Sequence, residues 1–247
     1  MQATLATYNI HRSIGADRVA NADRIIGVLD EMAADIVALQ EVPALGDNGL
    51  AFLDYLGQRT GYRTIAGPTL MHESGPYGNA LLTRARVRSV QRYDLTYGGW
   101  EPRGALAVEL DDKGLQLRVL VTHLGLHAAE RRHQVGRLLE LLPDDLTEPT
   151  ILMGDFNEWL PWGRPLRRLH AYFGKVPAPV SFPSRLPLFA LDRIWVNPAQ
   201  ALRTVTPHRS ALARGASDHL PVVARVVWPA ISMKTAGQTL AAPAHGS

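Results

Sequence analysis

Short apolar runs alternate with stretches of helical periodicity along most of this chain. The runs Thr4–Ile10, Asp35–Gln40, Asn79–Thr83, Ala105–Leu110, Leu115–Thr122, Thr150–Gly154, Leu191–Val196 and Leu220–Val227 have the length and composition of buried strands. Asn21–Ala34 carries Ile25, Ile26, Leu29 and Met32 at helical spacing, and Glu130–Leu142 carries Val135, Leu138, Leu139 and Leu142 on one face with arginines elsewhere. Ala51–Thr60, stopped by Gly61, and Gly163–Phe173 also read as helices. Asp111-Asp112-Lys113-Gly114 supplies the turn of a hairpin, and Lys175–Leu188 is a Pro-rich loop. Strands that alternate with helices predict an α/β layer architecture. No repeat and no linker divides residues 1–229, which read as one domain. Residues 230–247 shift to Ala, Gly, Ser, Thr and Pro and read as a disordered tail.

Composition narrows the chemistry. The absence of cysteine among 247 residues excludes disulfides and cysteine-ligated zinc or iron–sulfur sites. The N-terminus shows no basic and apolar leader, and no run approaches the ~20 apolar residues of a membrane span. A cytoplasmic protein is the expectation. The net charge of +3 and the pI near 9.4 suit phosphate-bearing partners, although an arginine-rich proteome gives the same balance.

Six short pieces carry the candidate chemistry. Tyr8-Asn9-Ile10-His11, Leu39-Gln40-Glu41-Val42, Thr122-His123-Leu124, Gly154-Asp155-Phe156-Asn157, Leu191-Asp192-Arg193-Ile194 and Ser217-Asp218-His219 each set a carboxylate, carboxamide or imidazole at the end of an apolar run. Taken singly, each fits an ordinary strand-end cap or Asx turn. Together they describe an acidic, histidine-bearing pocket. Phosphate-ester hydrolysis needs charge neutralised on the phosphoryl oxygens, a water oriented and deprotonated, and a leaving oxygen stabilised. Glu and Asp oxygens suit Mg²⁺, and a carboxylate can orient a histidine that donates to phosphate. Asp192, flanked by apolar strand residues, needs a partner, and the ring of His219 is the economical one. His127 and His133 lack strand context and read as surface residues.

These motifs, with YGNALLTR at residues 77–84 and SDHLPV at 217–222, resemble the endonuclease/exonuclease/phosphatase superfamily from about Ala3 to Val227. The resemblance implies a four-layer α/β (α+β) sandwich, two packed mixed sheets with helices on both outer faces. It implies Glu41 as the main Mg²⁺ ligand, assisted by Asn9, with Asp218 in the metal environment and Mn²⁺ as a substitute. Asp155 would orient or deprotonate the attacking water, Asn157 would hold a phosphoryl oxygen, and His219, oriented by Asp192, would contact phosphate or donate a proton. His123 matches a phosphate-contacting histidine of the deoxyribonuclease and sphingomyelinase branches. The departures are informative. His11 stands where apurinic endonucleases have an acidic residue, and His123 where they have tyrosine. The glutamate that supports the first histidine of pancreatic-type deoxyribonucleases has no counterpart in Tyr77-Gly78-Asn79. Arg103, in Glu101-Pro102-Arg103-Gly104, would add a guanidinium near the phosphate.

The expected activity is Mg²⁺-dependent phosphodiester hydrolysis, with no obligate protein partner. Nucleic acid, a phospholipid or sphingolipid head group and a small phosphoester all remain open as substrates. Trp159–Trp162 and Phe182–Phe189 offer an apolar rim or plain loop packing. A catalytically silent phosphate-binding module is the alternative of another class, against which the intact Glu41, Asp155, Asn157, Asp192 and His219 argue.

Overall fold

The computed structural model describes residues 2–43, 51–72, 75–143 and 148–228; the tail expected at 230–247 lies outside them. Among the described residues eleven strands form two sheets. The first contains β1 (Gln2–Asn9), β2 (Ile36–Val42), β3 (Arg63–His72), β4 (Gly75–Thr83), β10 (Leu202–Pro207) and β11 (Val222–Val227), in the order β10-β11-β1-β2-β4-β3. The second contains β5 (Arg86–Asp94), β6 (Gly104–Asp112), β7 (Leu115–His123), β8 (Thr150–Asp155) and β9 (Asp192–Asn197), side by side in that order. Helices α1 (Ala22–Met32), α2 (Ala51–Thr60) and α5 (Ala211–Ala216) cover the first sheet, and α3 (Ala128–Glu140) and α4 (Arg164–Phe173) cover the second. The expected four-layer sandwich is present.

Period-two alternation explains why the central strands read as unbroken apolar runs. In β7, Val119 and Val121 face the other sheet while Leu120 faces the helices. Ile151 and Met153 against Leu152 repeat this in β8, and Ile194 and Val196 against Trp195 in β9. Both faces are buried along these stretches, so Val119–Val121, Ile151–Met153 and Ile194–Val196 read as apolar runs. The layer between sheets also holds Leu5, Ala38, Leu81 and Val222. Outside it, α1 packs Ile25, Ile26, Val28 and Leu29 on Tyr8, Val37 and Leu39. On the far side α3 and α4 bring Val135, Leu138, Leu166 and Phe173 to Trp195.

Helix α1 starts where Asn21 accepts from the backbone N–H groups of Asp23 and Arg24, and ends at Ala33 in the left-handed region. Helix α3 departs from the sequence expectation in one respect. Its Arg131 is buried against Glu158, with Nε 3.2 Å from Oε2, instead of lying on the solvent face. Strand β2 runs two residues past Gln40 and so carries Glu41 inside the sheet.

Ile194 is fully buried between the sheets. Ile194→Ala is expected to cost about 2–5 kcal/mol of stability, read as a lower urea midpoint with an unchanged slope.

Candidate active site

Strand register assembles the site. Parallel pairing sets His123 of β7 opposite Asp155 of β8, and antiparallel pairing sets Asp155 opposite Asp192 of β9. Three functional side chains thus stand abreast at one end of the second sheet. Gly154 permits the approach, because a Cβ there would lie 1.9 Å from the Thr122 carbonyl oxygen. The chain is strand at Gly154, as the apolar run predicts, and Asn157 beyond it has φ +48°.

The first sheet meets this row from across the sandwich. Asn9, buried at the end of β1, donates through Nδ2 to Glu41 Oε1 and to Asp155 Oδ2, each at 3.1 Å. Its Oδ1 accepts from the backbone N–H of His11. Asn9, expected to assist Glu41, is the donor that the two carboxylates share. Glu41 reaches it from a bulge. The β2–β4 register shifts between Leu39 and Val42, and Glu41 adopts φ +56°, a conformation that costs about 1–2 kcal/mol outside glycine. Such strain re-aims a side chain and recurs at functional sites. After β1, His11, Arg12 and Ser13 all have positive φ, and this left-handed turn sets His11 and Arg12 on the cleft wall.

His219 closes the other side. Its Nδ1 lies 2.8 Å from Asp192 Oδ2 and its Nε2 lies 3.7 Å from Asp155 Oδ2. Ser181 also donates to Asp192 Oδ2, at 2.5 Å. Ser217 donates to the Asn9 carbonyl at 2.7 Å and so ties the Ser-Asp-His segment to β1. Burial opposes charge on the His219 ring, but Asp192, Asp155 and Asp218 outweigh it and lift its pKa to about 10. Burial, aided by Asp192, raises Asp155 to about 6 against the pull of His219 and of the Asn9 and Asn157 hydrogen bonds. The acid and the base are thereby set apart in one site.

His123 behaves oppositely. Burial first, then the charges of Arg103 and His219, drive its pKa well below the usual value, so the ring is neutral. It has the orienting partners that the sequence did not reveal. Arg103 Nη1 lies 3.3 Å from Nδ1 and Asn157 Nδ2 lies 3.0 Å from Nε2. A neutral imidazole has one lone pair, so these two donors compete for it. Arg103 is itself buried and held by Glu101 Oε2 at 3.0 Å. Asp218 is half-exposed on the cleft wall, with Oδ1 3.8 Å from His11 Nδ1.

All nine residues singled out from the sequence reach this one place. Asn9, Glu41, Arg103, His123, Asp155, Asn157, Asp218 and His219 line one cleft of about 750 Å³, and Asp192 is bonded to His219 beneath it. Tyr77, Glu101, Ser181 and Ser217 were missed. Tyr77 is hydrogen-bonded to Glu41, and burial followed by the Glu41 charge raises its pKa. Tyr77 lies in β4, Glu101 and Ser181 in irregular segments and Ser217 at the end of α5, and none marks the end of an apolar run.

Could the site hold a cation? Glu41 and Asp155 converge on one neutral amide, which leaves negative charge on hard oxygen donors, the set that Mg²⁺ or Mn²⁺ prefers. Atoms of Asp155, Asp192 and His219 also lie within 4.8 Å of one another. In that trio His219 is committed to Asp192 and protonated, so only its carboxylates remain available to a metal.

The pattern of the Endonuclease/Exonuclease/phosphatase family matches residues 6–219. The chain belongs to this family. Members of the family are phosphoester hydrolases, generally dependent on a divalent metal, and the chain is accordingly an enzyme acting on phosphate esters. It is 30% identical over 243 residues to the uncharacterized protein YbhP of Escherichia coli K12, covering 89% of this chain and 94% of YbhP. Two family folds in solved structures superpose on it. The endonuclease/exonuclease/phosphatase of Beutenbergia cavernae is 25% identical with a TM-score of 0.73, over 91% of this chain and 71% of that one. The mannosyl-6-phosphatase Bt3783 of Bacteroides thetaiotaomicron is 18% identical with a TM-score of 0.73, over 92% of this chain and all of that one.

The charge arrangement makes a spectroscopic prediction for the metal-free protein. The His219 ring protons should titrate near pH 10, far above the ordinary 6.5. Asp192→Asn removes the anion that favours the imidazolium and should move that midpoint down. A wild-type midpoint near 6.5 in NMR titration would refute the assignment.

Proposed function

We propose that the chain is a divalent-cation-dependent phosphodiesterase that hydrolyses its substrate by attack of water on phosphorus. One observation carries this reading. Asp155 stands between the Asn9–Glu41 pair on one side and a protonated His219 on the other. That arrangement offers a cation-binding carboxylate, a base and an acid around one point, which is what in-line displacement at phosphorus demands.

Each residue has a role in this reading. Glu41 is the principal carboxylate for Mg²⁺ or Mn²⁺, kept in place by Asn9 and Tyr77, with Asp218 on the same wall. A cation bound there would neutralise phosphoryl charge and acidify water. Asp155 is ionised above about pH 6 and takes the proton of the attacking water. His219, held by Asp192, donates to the oxygen on which charge develops. Arg103, Asn157 and the neutral His123 turn N–H groups toward a non-bridging oxygen, and an oxygen placed among them would relieve their competition for one lone pair. The cleft leaves room beyond the phosphoryl group for an esterified body, which favours a diester. A second reading, hydrolysis of a small monoester, draws its support from the similarity to a mannosyl-6-phosphatase.

Bis-(p-nitrophenyl) phosphate and p-nitrophenyl phosphate, assayed side by side with Mg²⁺ or Mn²⁺, test the two readings. Faster diester turnover that EDTA abolishes is expected. A faster monoester reaction would favour the second reading, and no turnover with any divalent metal would favour a binding module. Asp155→Asn and His219→Ala should each lower kcat by at least ~10²-fold while the protein stays folded. Glu41→Gln should raise the metal concentration needed for half-maximal rate; an unchanged metal dependence removes Glu41 from the coordination shell.

A further inference from the structure

The large apolar side chains left exposed among the described residues share one location. All ten lie outside helices and strands. They occupy five loops, which follow β1, join β5 to β6, follow β7, follow β8 and precede β9. Register puts all five loops at the same end of the molecule. Asn9, His123 and Asp155 terminate β1, β7 and β8, Asp192 opens β9 opposite Asp155, and Ala105 near the start of β6 pairs with Thr122. That end holds the cleft. The outer helical faces carry none of these ten. Scattered exposed leucines need no explanation, whereas clustering on one face marks an interaction surface.

The densest part lies in two neighbouring loops. Trp159, Leu160 and Trp162 come from one, and Leu186, Leu188 and Phe189 from the other. Trp159 joins them edge-on, with ring centroids 4.8 Å from Phe189 and 5.9 Å from Phe182. The tips are well exposed, at 65% for Trp162, 68% for Leu186 and 61% for Leu188. Trp159 and Phe182 also line the cleft, so the patch continues into the catalytic mouth.

Charge identifies the partner. Arg185 directly precedes Leu186 in one of the two loops, Arg164 follows Trp162 by two residues at the start of α4, and Arg12 lies on the cleft wall. Indoles suit the head-group region of a bilayer, leucines suit the acyl region, and guanidinium groups pair with anionic head groups. A nucleic acid would instead want flat rings for base stacking, and three of the six side chains are leucines, which offer none.

We propose that the catalytic end of the protein docks on an anionic phospholipid bilayer, so that the cleft receives head-group phosphodiesters presented at the membrane surface. The docking stands on the patch and its charge; the choice of substrate rests on the phosphodiesterase reading above.

Sedimentation of the full-length chain with vesicles separates the outcomes. Vesicles of phosphatidylglycerol and phosphatidylcholine should carry the protein down, less so with added salt, and pure phosphatidylcholine should carry little. Combining Trp162→Ser, Leu186→Ser and Leu188→Ser should weaken anionic-vesicle binding by about tenfold or more, with turnover of soluble bis-(p-nitrophenyl) phosphate unchanged. If that triple variant fails to fold, Trp162→Ser alone should show a smaller drop in the same direction. No binding to anionic vesicles, or binding that these substitutions leave untouched, overturns the proposal. So does binding of a single-stranded oligonucleotide through the same side chains when vesicles do not sediment. Vesicle binding without turnover of the soluble diester supports docking and counts against the phosphodiesterase reading, so the two can fail separately.

Discussion

The register of three adjacent strands governs everything else in this molecule. His123, Asp155 and Asp192 stand side by side only because β7, β8 and β9 pair with those residues level. Side chains alternate across a sheet, so a slip of one residue would turn the carboxylates toward the opposite layer. The apolar residues one step away prevent the slip. Val121 and Met153 fill the layer between the sheets while Leu120, Leu152 and Trp195 fill the layer under the helices. The interior packing that stabilises the sandwich is therefore the same packing that sets the site geometry.

Given that row, the charge pattern follows. Asp155 is buried beside Asp192, and two nearby carboxylates removed from water would be costly without compensation. Compensation comes from separate directions. His219 pairs with Asp192 and approaches Asp155, while Asn9 and the Asn157 backbone donate to Asp155. The result is two histidines of one cleft in opposite states, His219 charged through its carboxylate neighbours and His123 neutral through burial and Arg103. Neighbouring charge decides this difference, since both rings are nearly inaccessible to solvent.

The same physics explains what could be read from the chain beforehand. Central strands were legible because two buried faces produce an unbroken apolar run. The strands without such a signal are β3, β5 and β10, and all three are sheet edges. In β5 the burial alternates weakly between half-buried and exposed positions, so arginines and Ser89 break the run. Helix α5, with six residues, is too short for a helical period to register. The site residues at strand mouths stood out as polar groups terminating apolar runs. Arg103 was legible only as a basic residue after a proline, and its bond to His123 joins residues in different elements, which no spacing rule encodes. Tyr77 and Ser181 reach the site through side-chain hydrogen bonds to Glu41 and Asp192, and nothing in the flanking sequence announces either bond.

One division of labour remains. The floor of the cleft is built mainly from strand ends, where backbone pairing holds His123, Asp155 and Asp192 level, and from the segment before β11 that carries His219. The rim is built from loops, where no pairing constrains the side chain and exposure of tryptophan and leucine carries a cost in water. Strand ends can give the precision that displacement at phosphorus requires, and loops can vary without disturbing it. The residues proposed for the reaction, Glu41, Asp155 and His219, all lie on that floor. Trp159 and Phe182 line the cleft mouth from that rim, which the register does not touch. A shared fold with a mannosyl-6-phosphatase therefore leaves the rim free.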